Sequence, residues 1–268
     1  MAWDYGTITD ANPADALMDK IEACMTDPAW TYEEQLTAGD MGGAYPGRIW
    51  GNSNGFHVTI GWVDPTTVYL LLAEGYNPST NKCICPAMAG TLAVGADYSY
   101  GNSAEYTWVT ACAYSAGVNT TGFTYAISAT ANYILVATLC GSTIAVVHAG
   151  KFDTLMASDP GPYGIYNMTT FCHTRVPNVT GSASFTGSLI EHTDSHGTPG
   201  NYDVTHNAIV LTRLRIPNRT STDTHRGLVK GLVAMTSSGT YAFGDELDVS
   251  GTPKYKVLSG GTRAVEMV

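Results

Sequence analysis

The stretch YILVATLCGSTIAVVH, residues 133–148, decides the fold. It holds two apolar runs, Ile134–Leu139 and Ile144–Val147, separated by Cys140-Gly141-Ser142-Thr143. β-Branched residues dominate both runs, and a glycine sits at the break. That pattern predicts a β-hairpin whose strands are buried on both faces or nearly so. A transmembrane helix is the rival reading. The charge-free stretch is barely long enough for one, and Gly, Ser and Thr interrupt its middle. The chain is therefore expected to have a β core, with the other segments packed against this hairpin.

Working outward, short strands at close spacing surround it. On the N-terminal side they are Trp30–Leu36, Arg48–Trp50, Phe56–Val63, Val68–Glu74, Tyr106–Cys112 and Phe123–Ser128. On the C-terminal side they are Ile209–Ile216, Leu228–Met235, a short strand within 244–251, Thr252–Leu258 and Thr262–Val268. Residues 75–103, 149–174 and 177–208 carry enough Gly, Pro, Ser and Asn to read as loops. One strong helix is expected, over about 13–26. Asn12 can cap it, Pro13 suits its first turn, and Asp15 lies near the free N–H groups. Ala14, Leu17, Met18, Ile21, Cys24 and Met25 recur at helical period, giving one buried face, and Asp27-Pro28 ends it. The expected fold class is mainly β (α+β): antiparallel sheets or a β-sandwich with one N-terminal helix. Residues 1–222 form the main β domain and 223–268 a small C-terminal β module, separate or integrated.

Composition narrows the function. The chain has 268 residues, enough for a sizeable core. Charged residues are 13%, against about 25% in ordinary soluble domains. Tyr numbers 16 and Gly 29. A neutral, Tyr-rich surface suits assembly interfaces, although secreted β proteins share the composition. The net charge of −10 is unevenly placed. Residues 1–40 hold nine acids (Asp4, Asp10, Asp15, Asp19, Glu22, Asp27, Glu33, Glu34 and Asp40) against one base, Lys20. Residues 213–230 hold five bases (Arg213, Arg215, Arg219, Arg226 and Lys230) against one acid, Asp223. The two patches can match within the fold or between neighbouring subunits. The basic stretch is too short, and too poor in aromatics, to argue for nucleic acid.

The opening MAWDYGTITDANP lacks the basic and apolar regions of a signal peptide, so synthesis in the cytoplasm is expected unless processing removed a leader. The six cysteines do not fall into zinc spacing: Cys83-Ile84-Cys85 has one intervening residue and no second pair. The sequons at Asn119, Asn167, Asn178 and Asn218 then signify only polar loops.

The chemistry-bearing candidates are few. Around Glu191, His192, Asp194 and His196, with Asp203 and His206 nearby, lies the densest set of metal-binding side chains. His192, Asp194 and His196 are the ligands a metal would take. The surrounding Gly197, Pro199 and Gly200 offer no rigid element to pre-position them, so no metal and no cofactor are expected. Gly51-Asn52-Ser53-Asn54-Gly55 sets two glycines around a serine, but asparagines flank the serine and no helix follows, unlike a nucleophile elbow. Glu33-Glu34 and Asp245-Glu246 are sequence neighbours, and a regular strand would send them to opposite faces, unlike a glycosidase pair. No enzyme is expected.

Two stretches carry a resemblance. One is the turn Gly244-Asp245, a short strand, Ser250-Gly251 and a Tyr-containing strand ending Val257-Leu258. It is similar to the C-terminal β units of tailed-bacteriophage virion proteins. The other, Asn12-Pro13 followed by Ala-Asp-Ala-Leu-Met-Asp-Lys and then a Trp-Thr strand, resembles proteins of the phage neck, collar and tail. The resemblance covers the two ends of the chain and carries no catalytic motif. It implies a virion structural protein, a symmetric oligomer whose partners are its own copies and other virion proteins. The interface residues expected from the charge map are Arg213, Arg215, Arg219, Asp15, Asp19, Glu33 and Glu34. The alternative is a receptor- or carbohydrate-binding β module of a tail tip or spike, touching a host surface. In that reading Trp50, Trp62 and Trp108 offer stacking faces.

Overall fold

A computed structural model describes residues 3–38, 46–64, 67–89, 105–106, 116–117, 122–155, 163–167, 172–175, 184–187, 210–218, 221–236, 241–248, 254–259 and 263–267. The fold is mainly β, with antiparallel sheets and, among the described residues, a single helix.

The hairpin forms as its sequence demands. Strands β10 (Tyr133–Cys140) and β11 (Thr143–Thr154) pair from Tyr133↔Gly150 to Cys140↔Thr143. Gly141 takes the first turn position at φ 61°, where a side chain would be strained. Alternation then sorts the apolar residues onto two cores. Ile134, Val136, Val147 and Ala149 face one, and Tyr133, Leu135, Ala137 and Val146 face the other. Ile134 and Leu135 are both fully buried on opposite faces, so the uninterrupted apolar run from Ile134 to Ala137 follows directly.

The first core lies between two sheets. The smaller sheet runs β2 (Trp30–Leu36), β3 (Gly47–Asn52), β4 (Phe56–Asp64), β5 (Thr67–Asn77), β6 (Lys82–Ala89) and β7 (Glu105–Tyr106), with β8 (Ala116–Gly117) also on β5. It contributes Trp30, Trp50, Phe56, Val58, Ile60, Leu70 and Leu72 to that core. Helix α1 (Pro13–Cys24) buries Leu17, Met18 and Ile21 there. It packs against β1 (Trp3–Ile8) and β9 (Phe123–Ala129) of the larger sheet and against β4 and β5 of the smaller one. The helix is thus wedged between both sheets rather than laid across one. Burying each of those side chains is worth about 2 kcal/mol. Asn12 supplies no side-chain cap; its own N–H is held by Asp10 Oδ1 at 2.8 Å. The sheets are also tied by polar bonds to the β9–β10 turn. Trp30 Nε1 donates to Thr130 O (2.6 Å), and Asn52 and Asn54 side chains donate to Ala131 O (3.2 and 2.7 Å).

The second core is enclosed by the C-terminal strands. β11 pairs with β12 (Tyr163–Asn167) over Val147–Lys151, then with β16 (Ser221–Thr236) over Phe152–Thr154. β16 leads to β19 (Arg263–Met267), β18 (Lys254–Ser259) and β17 (Glu246–Asp248), while β15 (Val210–Asn218) pairs the other side of β16. Leu214, Ile216, Val229, Leu232, Leu258 and Val265 close over Leu135 and Phe152. The sheet curls until its end strands meet through side chains. Tyr5 of β1 packs near Phe243, ring centres 6.2 Å apart, and Lys256 Nζ lies 4.0 Å from the Tyr5 ring centre. Gly244, at φ 94°, makes room: a Cβ there would collide with the Tyr5 ring.

Several segments differ from expectation. Within 75–103, β5 continues to Asn77 and Lys82–Ala89 is strand β6, where a loop was expected; Pro86 sits beside a register shift opposite Leu72/Ala73, where a sheet tolerates proline, and residues 90–103 lie outside the described residues. Residues 149–174, expected to be irregular, also hold strands, with 156–162 and 168–171 outside the described residues. β11 continues to Thr154, and β12 and β13 (Cys172–Arg175) follow. Within 177–208, β14 (Ser184–Gly187) pairs with β13; the rest lies outside the described residues. Of the expected strand Tyr106–Cys112, only Tyr106 is described, in β7. Strand β1 was not expected at all; its polar and aromatic residues alternate too weakly to signal it.

Candidate functional site

The acidic N-terminal patch is partly neutralised inside the fold. Asp19 and Glu22, four and seven residues after Asp15 on α1, both bond Arg48 of β3; Asp19 Oδ1 lies 3.1 Å from Nη1. Burial opposes the Arg48 charge, but the Asp19 bond and the charges of Glu22, Asp19 and Asp15 raise its pKa above the ordinary value. Asp4 accepts from the Tyr125 hydroxyl at 2.8 Å and lies 4.0 Å from Lys20. Burial, and then that carboxylate, raise the Tyr125 pKa.

Glu33 and Glu34 behave differently from a regular strand pair. A bulge between Tyr32 and Glu34 breaks the alternation. Glu34 falls in register with Ile49, and Glu33 meets His57 Nε2 at 3.2 Å beside Gly51. Both carboxylates therefore share one face, with Glu34 also accepting from the Tyr76 hydroxyl. The expected split onto opposite faces is corrected by the bulge. Each carboxylate has a fixed partner, so the pair forms a hydrogen-bonded surface network.

Of the basic candidates, Arg213 and Arg215 lie on β15, opposite Val233 and Leu228 of β16, and Arg215 is half-buried. Among the described residues β15 pairs only with β16, and β2 pairs only with β3. The two charge-bearing stretches thus occupy outer strands of different sheets. Asp15 and Asp19 are exposed on α1. Arg219, His192, Asp194 and His196 lie outside the described residues. Trp50 is no stacking face: it is 7% exposed and meets Tyr32 edge-on. Trp62 lies on β4, and Trp108 is outside the described residues. Gly51 and Asn52 end β3, and Ser53–Gly55 is the turn joining it to β4, with Gly55 N–H bonded to Asn52 O at 2.9 Å and φ 89° at Gly55. It leads into a strand, not a helix.

One cleft went unsuspected from sequence. It opens where β11 and β16 part company, with a volume of about 540 Å³. Thr130, Asn132, Tyr133, Asp153, Lys230 and Gly231 line it, with Tyr255 of β18 and Glu266 of β19. β16 turns from β11 to β19 at Gly231, whose φ is 69° and whose Cβ, if present, would collide with the Tyr133 ring. Tyr133 stacks on His148 (4.9 Å between centres), and His148 Nε2 bonds Lys230 O at 2.8 Å. Burial lowers the His148 pKa to about 4, against the opposing pull of that carbonyl. Burial, with smaller contributions from Glu266 and Tyr255, pushes the Tyr133 pKa up to about 12 despite the bond to Ser128. Asp153 and Lys230 pair at 3.0 Å, both partly open to solvent. The signal that would have revealed the cleft is spread over five strands far apart in sequence, and only Lys230-Gly231 interrupts an apolar run.

Among the described residues no three His, Cys, Asp or Glu side chains gather as metal ligands, and no helix is long and apolar enough to cross a membrane. No protein-family model and no curated protein sequence matches this chain.

Proposed function

We propose that this chain is a structural subunit of a tailed-phage virion, in the neck, collar or tail, working through repeated contacts with its own copies and with other virion proteins. The observation that carries the reading is the placement of charge. Glu33 and Glu34 lie on β2 and Arg213 and Arg215 on β15, each an outer strand of its sheet among the described residues. Oppositely charged edges at separate places on one subunit suit a heterologous contact, which closes into a ring when the rotation permits. The low charged fraction, 13%, leaves neutral surface to supply contact area. Pairs exposed at physiological salt are screened over about 8 Å, so they set register more than strength. The resemblance of the chain's start to phage neck, collar and tail proteins, and of its end to the C-terminal β units of tailed-phage virion proteins, gives the reading its virion setting.

The test is a charge reversal, Arg215→Glu with Arg219→Glu. Incorporation into particles is expected to fail while circular dichroism and thermal midpoint stay close to the parent's. Normal incorporation of the folded double variant would overturn the reading. Because Arg215 is half-buried, Arg219→Glu alone provides a control if the double variant fails to fold.

A further inference from the structure

The cleft between β11 and β16 has the size of a small-ligand site. Its volume of about 540 Å³ lies within the usual range of roughly 300–1,000 Å³. Its chemistry restricts the occupant. Asp153 and Glu266 bring two carboxylates, Lys230 one ammonium already bonded to Asp153 at 3.0 Å, Asn132 an amide, and Tyr255 a half-buried phenol. An anionic ligand would face two carboxylates against one engaged cation. A hydrocarbon would strip water from these groups and return no hydrogen bonds, at about 1–3 kcal/mol for each group left unsatisfied. A cationic ligand would find only Glu266, since Asp153 is already bonded to Lys230. Hydroxyl groups donate and accept at once, so vicinal hydroxyls can donate to the carboxylates while accepting from Lys230 and Asn132. A Tyr ring presents an apolar face beside a polar tip, matching a sugar ring's own two characters.

We propose that this cleft binds a neutral saccharide. The Asp153–Lys230 pair grips adjacent hydroxyls, Glu266 accepts from a third, and Tyr255 forms the apolar platform. Tyr133 sets the floor: its ring is held by His148 and fits only because position 231 is glycine. The site does not depend on the assembly reading, and a virion subunit with such a cleft has a direct means of touching a glycan.

The experiment is saturation-transfer NMR on the full chain with cellobiose, lactose and chitobiose at millimolar concentration, alongside methyl phosphate and N-acetylarginine amide. Transfer to ring protons of at least one disaccharide is expected, with none to the methyl phosphate or the arginine derivative. Glu266→Gln and Tyr255→Ala should each weaken that binding by about tenfold or more, with unchanged circular dichroism; Asp153→Asn replaces either variant if it misfolds. Three silent disaccharides, binding unaffected by the substitutions, or binding of the arginine derivative alone would each overturn the proposal.

Discussion

The central hairpin and the seam between β1 and the C-terminal strands hold the same curled sheet in opposite ways. β10 and β11 join through continuous backbone pairing, with apolar side chains filling both faces. At the seam, Tyr5, Phe243, Gly244 and Lys256 make the closure with side chains. Lys256 is 5% exposed and bonds Gly244 O (3.1 Å) and Glu246 Oε1 (3.3 Å). Local apolar density organises the first region. The second depends on residues some 250 positions apart finding one another after the rest has folded. The hairpin should therefore behave as the stable unit, and the seam as the part that yields first.

The largest expected effect is on the hairpin's outer support. Gly231→Ala combines a strained φ with a collision against Tyr133, for a loss of about 3 kcal/mol or more. Leu135→Ala, fully buried on the second core, should cost about 3 kcal/mol by cavity formation. Urea midpoints measure both. If either substitution costs under about 1 kcal/mol, the hairpin is not the packed centre described here.

Acid should weaken the hairpin selectively. The His148 pKa falls from its ordinary 6.5 to about 4 in the fold, so the unfolded chain binds more protons between those values. This group's contribution is fully present above pH 6.5 and is lost as pH drops from about 6.5 towards 4. Unfolding curves at several pH values should show a shallower decline for His148→Gln than for the parent. Identical slopes would mean that His148 is not held neutral.

The seam should respond least. Lys256→Met keeps the stem but removes the charge over Tyr5 and the bonds to Gly244 O and Glu246 Oε1, at a cost of about 1–2 kcal/mol. Hydrogen exchange should then speed up at β1 and β18 while β10 amides remain slow. A loss equal to that of Leu135→Ala would erase the distinction between the two regions.

The hairpin and helix were legible because their signals are local. Ile134–Leu139 needs no distant partner to be read as a buried strand, and Leu17, Met18 and Ile21 repeat at helical spacing. Strand β6 was hidden because Pro86 reads as a breaker, and only the bulge opposite β5 makes room for it. β1 was hidden because Trp3 and Tyr5 are stabilised by α1, β9 and the seam, not by their own alternation. The acid pair Glu33-Glu34 was misjudged for a similar reason: the bulge that places both on one face leaves no mark in composition. The cleft was least legible of all, since Tyr133, Lys230 and Glu266 acquire common purpose only through the curl of the sheet.

The assembly claim is tested most directly by sedimentation velocity on the purified full chain at low and physiological salt. The account predicts a discrete oligomer at both, whose single size is lost in Arg215→Glu with Arg219→Glu. A stable monomer at both salts, across micromolar concentrations, would contradict it.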